Sequence, residues 1–228
     1  MDAALIGLIA AAVTFVGTHF ALSHPLRAPL LRVVGDKGFQ GLYSLVALAS
    51  FAWMVLAFRA APANAAPLWN GQAEVPWAIA TVLMLVASVL LVGSFVGNPA
   101  LPAPGAASLA AKPPHGVFHV TRHPMMWAIA LWSAAHVAIS PTPRVIVLAG
   151  AIALLALVGS HLQDRKKQAA MGAAWQGWQA QTSYWPRFGG LAKAGVGPWL
   201  GGTTLWLVAC WGHIPLVYVP AGIWRWVG

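Results

Sequence analysis

Five continuous apolar stretches of membrane-spanning length constrain this chain more than any other feature: Ala3–Leu22, Leu42–Phe58, Trp77–Val96, Val145–Leu162 and Trp199–Val219. About 20 helical residues cross a hydrocarbon core roughly 30 Å thick, so stretches of this length read as spans. A sixth, Met125–Ile139, is shorter, but it is opened by Pro124 and closed by Ser140-Pro141 and reads as a short span. None alternates with period two, as membrane strands do. The expectation is an all-α membrane bundle of about six transmembrane helices, a single domain over residues 1–228.

Composition excludes the ordinary soluble alternative. Hydrophobic residues make up 59% of the chain and charged residues only 7%, against about 25% charged in a typical soluble domain. The net charge of +9 is no sign of nucleic acid, because the 13 basic residues are dispersed among short loops and form no basic face. Their partition gives a topology. With alternating spans, Arg27, Arg32, Lys37, Lys112, Arg122, Arg165, Lys166, Lys167, Arg187 and Lys193 fall on one side, and Arg59, Arg144 and Arg225 on the other. The positive-inside rule makes the first side cytoplasmic and puts both termini outside, in a multi-pass membrane protein. The first span begins with Asp2 and has no basic leader, so it reads as retained. The lone Cys210 excludes an intramolecular disulfide.

Between spans, Asn98–Pro114 carries Pro102, Pro104, Pro113 and Pro114 and reads as a linker. Gln163–Tyr184 is polar with a helical stripe of Met171, Trp175 and Trp178. It reads as one cytoplasmic amphipathic helix, either lying on the membrane surface beside Arg165, Lys166 and Lys167 or packed on the bundle by its Trp face.

The histidines carry the candidate chemistry. His19, His115, His119, His123 and His161 fall near the inner ends of spans. His136 lies 13 residues beyond His123, about 20 Å deeper along a helix, and His213 reaches a similar depth in the last span. A single membrane imidazole commonly does no more than bond a neighbouring helix, but a set of this size points to a ligand. Zinc would require a compact cluster, and no histidine pair has i, i+4 spacing with an acid nearby. Haem suits the pattern better: histidines from two helices clamp a flat porphyrin whose propionates meet basic groups such as Arg27, Arg32 or Arg122 at the interface.

Several runs carry a family resemblance. They are Thr18-His19-Phe20-Ala21-Leu22-Ser23 with Leu26-Arg27, Gly41-Leu42-Tyr43-Ser44-Leu45, Thr121-Arg122-His123-Pro124-Met125-Met126, Leu131-Trp132-Ser133-Ala134-Ala135-His136 and Gln181-Thr182-Ser183-Tyr184-Trp185-Pro186. Over residues 5–188 the chain resembles the NnrU family, which includes membrane proteins associated with bacterial denitrification and the plant zeta-carotene isomerases; the last span lies beyond that resemblance. The resemblance implies haem b held by membrane histidines, serving a respiratory enzyme or the isomerisation of a lipophilic polyene. It makes His19 and His136 the metal ligands and Arg122, His123, Trp132, His161 and Asp164 the cofactor-binding set. It also implies a cysteine one turn before the deep histidine, where this chain has Ser133.

Helix depth alone pairs His136 with His213 instead, and Cys210 shares a helix face with His213. His213 is therefore the rival ligand. A second function class is methyl transfer: the Arg-His-Pro motif and the aromatic-Pro tail also resemble the isoprenylcysteine carboxyl methyltransferases, which use S-adenosylmethionine. In that pattern a tandem acid would stand where this chain has Gln163-Asp164. A third class is a haem-holding factor with no turnover of its own.

Overall fold

The structure is a computed structural model describing residues 2–101 and 104–227. Nine helices follow one another among these residues: α1 Ala3–Ser23, α2 Arg27–Ala60, α3 Glu74–Gly93, α4 Ala106–Ala110, α5 Pro124–Ile139, α6 Pro143–Met171, α7 Ala173–Gln181, α8 Val196–Val217 and α9 Trp224–Val227. α1, α2, α3, α6 and α8 are long and apolar enough to cross a membrane, and α5 is the shorter apolar helix between them. The chain is an all-α, multi-pass membrane bundle.

Local chemistry explains the starts and breaks. The Asp2 carboxylate accepts from the amides of Ala4 and Leu5 and caps α1. Pro124 and Pro143 open α5 and α6, where the missing N–H goes unneeded. Gly35 breaks α2 with φ 69° and ψ 177°, a conformation that disfavours any residue with a Cβ.

Three local expectations change. The Arg27–Lys37 segment is helical on both sides of Gly35 and forms no open loop. The proline-rich linker contains α4, whose Ala106 and Ala110 are buried; its Pro102 lies outside the described residues. Gln163–Tyr184 is not one helix: α6 runs on to Met171, Gly172 breaks it at φ 54°, and α7 follows. The Trp face of α7 packs on protein. Trp175 and Trp178 are buried with Phe118, Ala100 and Ala110, an apolar gain of about 1.5–3 kcal/mol for Phe118 and less for the two tryptophans, whose indole N–H groups find no partner among the described residues.

The spans form two groups. α1 packs on α2 and α6, while α3 packs on α5 and α8, and α5 against α6 joins them. Close packing of α3 on α8 depends on Gly202, where a Cβ would lie 2.6 Å from the Val89 Cα. Between the groups, α1 and α3 stand apart across a cavity.

Candidate functional site

At the basic end of the bundle, the Arg-His-Pro motif is tied into the protein by its charged side chains and its backbone. Asp164, on α6, is buried and takes donors from two residues. Arg122 Nε lies 2.9 and 3.1 Å from the two carboxylate oxygens, and His123 Nε2 lies 2.8 Å from Oδ1. Facing a carboxylate, Nε2 is the nitrogen that carries the proton. The cluster is nearly dry, with the His123 side chain 1% exposed and that of Arg122 12%.

The segment after α7 locks the motif from the other side. Thr121 Oγ1 donates to the Tyr184 carbonyl at 2.7 Å and Trp127 Nε1 to the same oxygen at 2.9 Å. The amides of Arg122 and Arg187 donate to the carbonyls of Ser183 and Val120. Tyr184 Oη donates to the Leu157 carbonyl at 2.6 Å, and its ring lies under the Arg122 guanidinium and against His123 and His161. Thus two runs that stand about 60 residues apart in the chain close into one latch across α5 and α6. Asp164 is the anion that Arg122 holds.

His19 and Trp132 belong to a different place. They line the cavity of about 660 Å³ between α1, α3, α5 and α6, with Phe15, Phe20, Leu91 and Ile129 among its apolar walls. That volume falls within the roughly 300–1,000 Å³ of small-molecule and cofactor sites. His19 Nδ1 sits 2.7 Å from the Phe15 carbonyl and is the protonated nitrogen. Its Nε2 therefore keeps a lone pair, and the ring is steadied by Phe15 and by Tyr43 edge-on. A backbone carbonyl on the far nitrogen is one of the usual supports of a metal-bound imidazole. Toward the basic end the same cavity is lined by Ser23, His24, Gln163 and Lys166. Burial, with the Lys166 ammonium nearby, holds the His24 imidazole below its usual pKa range.

His136 and His213 meet at the opposite end of the bundle, their ring centroids 6.4 Å apart. Each donates Nδ1–H one turn back along its own helix, to Trp132 and Ala209, which leaves both Nε2 lone pairs available. Trp132 stacks on His136 at 4.2 Å, so one indole joins the cavity wall to the histidine pair. The fold thus brings His136 to His213, while the ring neighbours of His19 are Phe15 and Tyr43. Ser133 is buried and donates to the Ile129 carbonyl. His161 is exposed beside Tyr184, and Cys210 is buried against Trp77, Trp206 and Ala221. Among the described residues no three His, Cys, Asp or Glu side chains converge as a metal-binding cluster.

Sequence reasoning names none of Tyr184, Thr121, Lys166 or Gln163 among the site residues. Tyr184 lies within a quoted run, and its buried contacts account for that run. Lys166 is visible in the sequence only as one of a basic triplet, and no pattern along the chain marks which of the three turns to the cavity.

A bundle of six apolar helices closed at one end by an Arg-His-Asp latch defines a multi-pass membrane protein. The family model described as NnrU protein matches residues 7–221, and the chain belongs to the NnrU family. The match continues through α8, beyond the 5–188 over which the quoted runs carry the resemblance. No curated protein and no solved structure matches the chain.

Proposed function

We propose that this NnrU protein is a haem b protein of the bacterial inner membrane, in which the cavity between α1, α3, α5 and α6 would take the haem and His19 Nε2 would hold its iron. The observation that carries the reading is the imidazole itself: His19 enters an apolar cavity of about 660 Å³ with Nδ1 anchored and Nε2 unengaged among the described residues. A porphyrin suits such walls, and bound iron would supply one-electron chemistry or ligand exchange. Trp132 ties the cavity to His136 and His213, which are the candidates for the second ligand or for supporting the site from its outer end.

The partition of basic residues favours a cytoplasmic face at the Arg122–Asp164 end and periplasmic termini. Of the roles carried by the family, holding haem for a respiratory or denitrification enzyme draws more support than polyene isomerisation. The isomerase pattern switches a cysteine ligand, and here Ser133 is buried with its hydroxyl on the Ile129 carbonyl. The methyltransferase reading draws least, because Arg122 and His123 are already engaged by Asp164.

The test is reconstitution of the detergent-purified chain with hemin. The expected result is a Soret band that shifts on reduction and is lost or greatly weakened in His19→Ala, with no binding of S-adenosylmethionine. A spectrum unchanged in His19→Ala overturns the ligand assignment, and a colourless protein that binds S-adenosylmethionine overturns the haem reading itself.

A further inference from the structure

The chain has four acids, and three are committed in ways the structure makes plain. Asp2 caps α1, Glu74 receives Arg225, and Asp164 receives Arg122 and His123. The fourth, Asp36, makes no ion pair among the described residues. Most of the arginines and lysines at the basic end therefore have no carboxylate partner among the described residues, and two of them, the exposed Arg27 and Lys166, line one small chamber open to solvent. That chamber, about 260 Å³, is bounded also by Ser23, Gln40, Tyr43 and Ser44, a set rich in hydroxyl and amide groups. The Arg27 guanidinium is held over the Phe39 ring at 5.6 Å. The chamber shares Ser23, Tyr43 and Lys166 with the large apolar cavity, so the two are contiguous. His24, on the wall of the large cavity, has its pKa lowered first by burial and then by the positive charge of Lys166.

Two cations and several donors at the mouth of an apolar cavity match an oxyanion attached to an apolar body. We infer that Arg27 and Lys166 form the acid-recognition subsite of an amphiphile: a carboxylate or phosphate occupies the small chamber while the apolar portion lies in the large cavity toward Trp132. The inference goes beyond the haem reading, since the subsite recognises the acid whatever body carries it. A porphyrin propionate and the acid of a single-chain lipid are the two sources.

Both can be probed without iron, so His19 ligation plays no part in the outcome. The probes are protoporphyrin IX and a fluorescent polyene fatty acid, each compared with its methyl ester on the full chain in detergent. The acid of at least one pair should bind about tenfold or more tightly than its ester, the gain from charge-assisted hydrogen bonds. Arg27→Gln and Lys166→Gln should each reduce that preference and the double variant abolish it. Lys166→Arg should retain it, and Lys112→Gln and Arg165→Gln, outside both cavities, should leave it intact. Preference for the fatty acid alone assigns the subsite to a lipid and counts against haem; preference for protoporphyrin assigns it to propionates. Equal binding of acid and ester by the wild-type chain, or an acid preference that survives in the double variant with its helicity intact, overturns the inference.

Discussion

Replacing Asp164 with asparagine should disable the latch at the basic end more severely than replacing Arg122. Asp164 is 6% exposed and accepts from both Arg122 and His123. The amide side chain would keep the shape, but it has one acceptor oxygen and turns an N–H pair toward a second donor. The change leaves Arg122 as a desolvated cation without its anion. Stripping one member from a buried ion pair costs about 3–5 kcal/mol. Because Arg122 retains 12% exposure, the lower end of that range applies, about 3 kcal/mol, or a factor of roughly 150 in the folding equilibrium. Arg122→Gln should cost less, since the bond from His123 to Asp164 survives it.

The order is measurable by equilibrium unfolding in mixed micelles titrated with sodium dodecyl sulfate and followed by circular dichroism. A local readout comes from hydrogen exchange at the amides of Arg122 and Arg187, which bond across the latch to Ser183 and Val120. Both amides should lose protection in Asp164→Asn before those of α5 do. A loss of stability below about 0.5 kcal/mol, in the range of a neutral surface change, would refute the reasoning, as would an Arg122→Gln variant less stable than Asp164→Asn.

Gly202→Ala should destabilise the bundle by about 1–3 kcal/mol, because the new methyl meets the backbone of Val89. Gly201→Ala should be milder, since it meets only the Val92 side chain at 3.0 Å, which can turn aside; equal effects in the same micelle titration would contradict that distinction. For topology, a reporter fused after Gly228 should be active in the periplasm and one inserted beside Lys166 in the cytoplasm. The reverse pattern would invert the proposed orientation.

The spans are legible in the sequence because spanning is a local property: length and apolarity suffice, and neighbours need not be known. Their ends are less so. Gly172 takes a positive φ that separates α6 from α7, but a glycine between two helix-compatible runs does not declare its φ in advance. The linker reads as irregular from its prolines, whereas α4 forms in it with Ala106 and Ala110 buried, Ala110 against the surface of Trp175 and Trp178. That surface is assembled from distant parts of the chain and has no local signature.

The same divide runs through the site. Helix rise is constant, so residue counting places His136 and His213 at similar depth, and their rings lie 6.4 Å apart. Helix rotation has no such ruler, and only the packed structure puts His19 and Trp132 on one cavity while His161 faces Tyr184. Arg122 reads as a cation awaiting an external anion because Asp164 stands 42 residues away. Of the four acids, however, only Asp164 is buried together with its cations; Asp2 caps α1 and Glu74 meets Arg225 at the surface. Arg122 and His123 take Asp164, and of the cations without a carboxylate partner among the described residues, Arg27 and Lys166 are the ones that line the small chamber beside the cavity.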